Sequence, residues 1–152
     1  MRYIRPLSIE DAVGELAKAV GPAAILAGGS DLLVRMKGGF IEPELIVDIK
    51  RIGGLADITE TADGFRIGAA VPCAVLGENK AVRKAWPGAD SVPALVAAGA
   101  KAVVAGPSGK RTIAVESVPT GPGRTSLAKG EIIEAILLDK RPEHAGDAYL
   151  RF

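Results

Sequence analysis

An apolar stripe at helical spacing opens the chain. It comprises Ile9, Ala12, Val13, Leu16, Ala17 and Val20. Ser8 stands before the stripe and Asp11 follows three residues later, a spacing typical of an N-terminal capping box. The sequence therefore predicts a helix from Ser8 to Val20, ended by Gly21 and Pro22.

Two short apolar runs follow this helix. Residues 23–27 and 45–49 each have the length and composition of a buried strand. Between them, Leu32, Leu33 and Met36 have the spacing of the inner face of a short helix. Strands that alternate with helices in this way favour a small parallel sheet.

From Asp57 onward, hairpin signals replace this alternation. Asp63-Gly64 separates the strand-like runs 58–62 and 65–69, and Pro107-Ser108-Gly109 separates 102–105 from 112–115. Residues 75–86 and 92–98 have helical patterns, and residues 131–138 favour a strand. We expect an α+β fold with a β/α lobe at residues 1–56 and an antiparallel sheet with helices at residues 57–152.

The turn between the strand at 23–27 and the next helix contains Gly28, Gly29 and Ser30. A strand that enters a helix through two glycines leaves several backbone amides unpaired at the positive end of the helix dipole, an arrangement suited to a phosphate. Asp31 is unsuited to face an anion and is expected to cap local amides or to point away. The alternative is an ordinary turn, because the stretch matches neither common nucleotide-binding glycine motif.

Composition narrows the possible partners. The 152 residues are 48% hydrophobic, and 19 Lys and Arg against 18 Asp and Glu give a formal charge of +1. No basic patch for nucleic acid and no apolar run of membrane-spanning length is visible. The first residues lack the apolar segment of a secretory signal, so we expect a cytoplasmic protein.

Reactive side chains are scarce. The single cysteine, Cys73, excludes an internal disulfide or a cysteine-ligated cluster built by this chain alone, and we expect it to be a small buried residue. The single histidine, His144, lies in a turn-like stretch and is expected to be solvated. We therefore expect no catalytic residue and no metal ligand in this chain.

Several stretches together resemble the FAD-binding medium subunit of the molybdenum hydroxylase family, which includes xanthine dehydrogenase and aerobic carbon monoxide dehydrogenase. The stretches are I-R-P-L-S-I-E-D-A, L-A-G-G-S-D-L-L-V-R-M-K, P-E-L-I-V-D-I, R-I-G-A-A-V, A-D-S-V-P-A-L-V-A-A-G-A-K, T-G-P-G-R-T-S-L-A-K-G-E-I-I and A-Y-L-R-F. This resemblance covers essentially the whole chain. It implies the two-lobed FAD fold of the vanillyl-alcohol oxidase type, with the flavin between the lobes.

The resemblance also implies site residues. The segment from Ala27 through Gly28, Gly29 and Ser30 to Asp31 matches the family's first flavin loop, whose amides hold the pyrophosphate. The remaining implied flavin-site residues are Asp90, Ile132 or Ile133, and Arg151. Each of these also has a structural alternative: a turn residue for Asp90, core packing for the two isoleucines and a solvated strand end for Arg151.

One family feature has no counterpart in this sequence. The second flavin loop, a T-I-G-G-N-type segment, should stand between Gly88 and Ala89, and the family's C-terminal subdomain should follow Phe152. We predict that Gly88 and Ala89 are not covalent neighbours in the natural protein, which leaves the second lobe incomplete around residues 88–89.

The implied function is electron relay. FAD receives electrons from iron–sulfur clusters and passes them to NAD, oxygen or a quinone, with an iron–sulfur subunit and a molybdopterin-binding subunit as partners. Two alternatives stay open from the sequence: a scaffold of this fold that binds no flavin, and a simple phosphate- or nucleotide-binding module that uses only Gly28 to Ser30.

Overall fold

The computed structural model describes residues 1–86 and 91–146, and its first sheet is parallel. Strands β1 (Arg2–Ile4), β2 (Ala23–Leu26) and β3 (Leu45–Asp48) lie in the order β1-β3-β2. Helix α1 (Ile9–Lys18) connects β1 to β2, and helix α2 (Leu32–Lys37) connects β2 to β3. The alternation of strands and helices thus forms the small parallel sheet that the sequence predicts.

The second sheet is antiparallel and has five strands. Strands β4 (Ile58–Thr61), β5 (Gly64–Gly68), β6 (Lys101–Gly106), β7 (Gly109–Ala114) and β10 (Ile132–Asp139) lie in the order β4-β5-β10-β6-β7. Both predicted hairpins are present, and the fold is α+β as expected. The division into lobes at residues 1–56 and 57–152 stays a prediction.

Short elements complete the chain. Helices α3 (Cys73–Glu78), α4 (Lys80–Ala85) and α5 (Val92–Ala97) lie between the two hairpins. A 3-10 turn (Val115–Ser117) precedes a small ribbon of β8 (Pro119–Gly121) and β9 (Arg124–Thr125).

Two apolar clusters form the core. The first joins the sheets, because residues of α1 and β3 pack in it with Ala105 of β6 and Ile132 of β10. The second lies between the antiparallel sheet and the short helices, and includes Phe65, Val82 and Leu138. Strand β10 contributes side chains to both clusters, and a bulge between Ile133 and Ala135 is one reason.

The Ser8 cap is confirmed, but the end of α1 was predicted two residues too late. Ser8 Oγ accepts a hydrogen bond from the Asp11 amide at 3.1 Å. The helix ends at Lys18, and Val20 is fully exposed instead of lying on the apolar stripe. The extended backbone at Ala19 turns the chain away from the core before Val20 is reached.

Other burial predictions were wrong. Strand β2 is an edge strand with one exposed and three partly buried residues, and Leu33 is 48% exposed. Cys73 is exposed at the start of α3. The predicted helix over residues 75–86 is two helices, because Asn79 has extended backbone and caps the second helix through its side chain.

Candidate functional site

The loop between β2 and α2 has the conformation that its glycines permit. Gly29 has a φ of +84°, a left-handed geometry that residues with a Cβ rarely adopt. A Cβ at Gly29 would lie 2.9 Å from Leu33 Cδ1, whereas a Cβ at Gly28 would meet nothing within 4 Å. The backbone at Gly28 is therefore open to a ligand, and the turn at Gly29 depends on glycine.

The amides of this loop are unpaired. In the part of the chain that the structure describes, no amide from Gly28 to Asp31 donates a hydrogen bond. The carbonyls of Gly29 and Asp31, in contrast, accept from the Leu33 and Arg35 amides at 3.0 Å each. The loop thus presents several unpaired backbone N–H groups in one short stretch, as the first residues of a helix do.

Asp31 points away from these amides. Its carboxylate makes no capping hydrogen bond, its side chain is 81% exposed, and it lies 3.4 Å from the Arg35 guanidinium. Of the two expectations for this residue, pointing away is the one observed, so Asp31 does not occupy the donors that an anion would use.

A charged cluster lies beside the loop, at the carboxyl edge of the parallel sheet. Asp48 ends β3 and its side chain is 3% exposed. Lys50 Nζ lies 2.8 Å from Asp48 Oδ1 and donates to the Ala27 carbonyl at 3.2 Å. The Tyr3 hydroxyl of β1 donates to Asp48 Oδ2, and Arg5 Nε lies 3.8 Å from the same oxygen. Ligands of parallel α/β sheets bind beyond this edge of the strands.

The cluster keeps Asp48 ionised. Burial raises the pKa of the Asp48 carboxyl, but hydrogen bonds from Lys50 and Tyr3 outweigh that effect and bring the pKa down to about 2. The same hydrogen bond to Asp48 raises the pKa of Tyr3. At neutral pH the site therefore holds an ionised Asp48 carboxylate and a neutral Tyr3 phenol.

The sequence pattern did not predict this cluster. The signal was the polar pair in V-D-I-K, at the end of an otherwise apolar strand. A buried aspartate at the carboxyl edge of a parallel strand, followed two residues later by a lysine, would have directed attention to the neighbouring loop.

The structure separates the remaining candidate residues. Ala27 is half-buried and packs against the cluster that joins the sheets, to which Ile132 also belongs. Ile132 is 1% exposed, and Ile133 is partly buried against the second cluster. Asp90, Arg151 and the Gly88–Ala89 junction lie outside the described residues.

Comparisons with known proteins establish the family. Residues 1–88 and 82–139 match the model of the FAD binding domain in molybdopterin dehydrogenase. The chain belongs to this family. The glycine loop and the sheet edge beside it both fall within the first matched segment.

Individual relatives agree with this result. The carbon monoxide dehydrogenase medium chain of Afipia carboxidovorans is 30% identical over 97% of this chain and 61% of its own length. The nicotine 6-hydroxylase medium subunit of Paenarthrobacter nicotinovorans is 29% identical over 96% of this chain and 62% of its own length. This chain therefore spans about three fifths of the relatives that it matches.

A solved structure shows the same fold. Carbon monoxide dehydrogenase from Oligotropha carboxidovorans has a TM-score of 0.85 at 27% identity, covering 93% of this chain and 60% of that one. In the described parts of the chain, no helix is long and apolar enough to cross a membrane.

The matches also show that a relative has residues with no counterpart in this chain. The two segments matched to the family overlap at residues 82–88, on the N-terminal side of the Gly88–Ala89 junction. The alignment with the nicotine 6-hydroxylase subunit runs over 175 positions, more than the 152 residues of this chain. Part of that relative thus has no counterpart here.

Proposed function

We propose that this chain is the flavin-carrying part of a molybdenum hydroxylase and binds FAD through its Gly28–Asp31 loop. In this role it relays electrons from iron–sulfur clusters through FAD to an acceptor such as NAD, oxygen or a quinone. An iron–sulfur subunit and a molybdopterin-binding subunit are its partners, in the cytoplasm.

The unpaired amides of the loop carry the proposal. Gly28 leaves room for a phosphate oxygen to reach the backbone, and the left-handed turn at Gly29 keeps successive amides free. These features fit one end of a pyrophosphate. Because the chain belongs to a family of FAD-binding domains, the expected pyrophosphate is that of FAD.

The chain's own residues bind and orient, whereas FAD supplies the redox chemistry when it is bound. The amides of the glycine loop hold the anionic linker. We place the isoalloxazine between the lobes at residues 1–56 and 57–152, with Ile132 or Ile133, Asp90 and Arg151 as its further contacts.

Gly29→Val tests the loop. Valine at a φ of +84° is strained, and its Cβ would press on Leu33. We expect FAD affinity, measured by quenching of flavin fluorescence, to fall by more than about tenfold. Gly77→Val is the matched control, because a Cβ at Gly77 meets nothing within 4 Å and no positive φ is recorded there. A Gly29→Val protein that binds FAD as tightly as the parent would refute the site.

A flavin-free scaffold is the second candidate, and the overlap of the two family matches at residues 82–88, beside the Gly88–Ala89 junction, favours it. The family's second flavin loop should lie at that junction, so the chain as given would hold the pyrophosphate from one side only. A visible spectrum of the purified protein separates the candidates. Flavin bands support the proposal, their absence after incubation with FAD supports the scaffold, and colourless binding of inorganic pyrophosphate supports a simple phosphate-binding module.

A further inference from the structure

Lys50 contacts the main chain at the first peptide unit of the glycine loop. Its Nζ donates to the carbonyl of Ala27 at 3.2 Å. That carbonyl shares a planar peptide unit with the Gly28 amide, and no cis peptide bond occurs in the described residues. In a trans peptide the C=O and the N–H point in opposite directions. A contact that fixes the carbonyl toward Lys50 therefore fixes the Gly28 amide away from it.

Lys50 is itself held in place. Asp48 Oδ1 lies 2.8 Å from Nζ and also accepts from the Lys50 amide at 3.1 Å. The Tyr3 hydroxyl holds the other carboxylate oxygen. Since Asp48 is almost fully buried and bonded on both oxygens, the ammonium group has a fixed anchor on the sheet.

No other lysine in residues 1–86 and 91–146 donates to a main-chain carbonyl. Lys101 resembles Lys50 in its exposure and in having a carboxylate partner. It is 47% exposed against 44% for Lys50, and its Nζ lies 2.6 Å from Asp139. Its partner is 57% exposed, however, and Lys101 lies on the antiparallel sheet. The contact of Lys50 with the glycine loop is thus not a general property of paired lysines in this fold.

We propose that Lys50, anchored by Asp48, is a positioning residue of the phosphate-binding loop: it orients the Ala27–Gly28 peptide unit so that the Gly28 amide faces the pyrophosphate. The ammonium group also polarises that peptide, which strengthens the amide as a donor. The inference rests on the proposed function, because it names how this chain prepares the loop for FAD.

Three variants test the assignment by FAD titration. Lys50→Met removes the ammonium group but keeps the aliphatic stem, and FAD affinity should fall about tenfold. Lys50→Arg keeps a donor within reach of the carbonyl and should recover affinity to within about threefold of the parent. Lys101→Met removes the matched lysine and should leave affinity unchanged. Equal losses in Lys50→Met and Lys101→Met, or no loss in Lys50→Met, would overturn the assignment.

A measurement without FAD separates this inference from the proposed function. In ¹⁵N–¹H spectra of the free protein, Lys50→Met should shift the Gly28 amide signal, while the Gly77 signal stays unchanged. An unmoved Gly28 signal refutes the orienting role. If the parent binds no FAD, the proposed function fails, and the Gly28 signal alone decides whether Lys50 orients this peptide.

Discussion

Asp48 in the parallel sheet and Glu134 in the antiparallel sheet are both carboxylates largely withdrawn from water, and each has two cationic partners. Arg66 and Lys110 lie 2.9 and 2.7 Å from the Glu134 oxygens and belong to strands on either side of β10. Glu134 therefore joins strands within one sheet.

The cationic partners of Asp48 lie past the ends of their strands. Lys50 follows β3, Arg5 follows β1, and Lys50 continues to the carbonyl of Ala27. Parallel strands bring these ends to one edge, whereas antiparallel strands alternate their ends. A buried carboxylate at a strand end can thus position a neighbouring loop, whereas one within a sheet holds its strands together.

Truncating Ile132 should have the largest effect, because its side chain lies in the cluster that joins the two sheets. Ile132→Ala should lower the free energy of unfolding by about 3–4 kcal/mol in urea denaturation. Ile133→Ala, on the partly buried side of the same strand, should cost about half as much. Equal losses in the free energy of unfolding for the two variants would contradict a larger role for the cluster that joins the two sheets.

Asp48→Asn should rank second. The folded-state pKa of Asp48 is lowered to about 2, so its ionised form stabilises the protein above the unfolded pKa near 4. We expect a loss of about 2 kcal/mol at pH 7. That stabilisation disappears as the pH falls from about 4 through 2, so parent and variant should converge in acid.

Denaturation curves at a series of pH values provide the measurement. Asp139→Asn, on a carboxylate that is 57% exposed, is the control and should change stability little at any pH. A constant difference between parent and Asp48→Asn from pH 7 down to pH 2 would show that the carboxylate's charge is not what stabilises the sheet edge.

Glu131→Gln should have a smaller effect. Hydrogen bonds from Arg111, and then from the Ala128 amide, lower the pKa of Glu131 to about 2. The partner Arg111 is 43% exposed, so solvent screens the pair and we expect a loss of about 1 kcal/mol at pH 7. As for Asp48, the loss should vanish as pH falls from about 4 through 2. If the variant is as stable as the parent at pH 7, this ion pair makes no net contribution to the free energy of unfolding.

The exposed pair of Lys101 and Asp139 should have the smallest effect. Both side chains are about half exposed, at 47% and 57%. A double-mutant cycle with Lys101→Met and Asp139→Asn should give a coupling energy below about 0.5 kcal/mol, and less in high salt. A coupling energy as large as that of a buried ion pair would contradict the expectation that exposed pairs stabilise the protein less than Asp48 does.

Features that depend on neighbouring residues could be predicted from the sequence. The Ser8 cap, the two hairpins and the glycine turn before α2 all rest on contacts within a few residues. The family resemblance of the glycine loop also needed no coordinates. Burial was predicted less well, because the exposure of Val20, Leu33 and Cys73 depends on which elements pack against them.

The sequence alone thus determined the α+β fold and the glycine turn, since local turn chemistry and hydrophobic period specify those features, and its motifs pointed to the family by resemblance. Only the tertiary structure decided which side chains meet beside that loop. Tyr3 is 45 residues from Asp48, and Ala27 is 23 residues from Lys50. The register of three parallel strands brings them to one edge, and register is set by pairing across the sheet, which no short stretch of sequence contains.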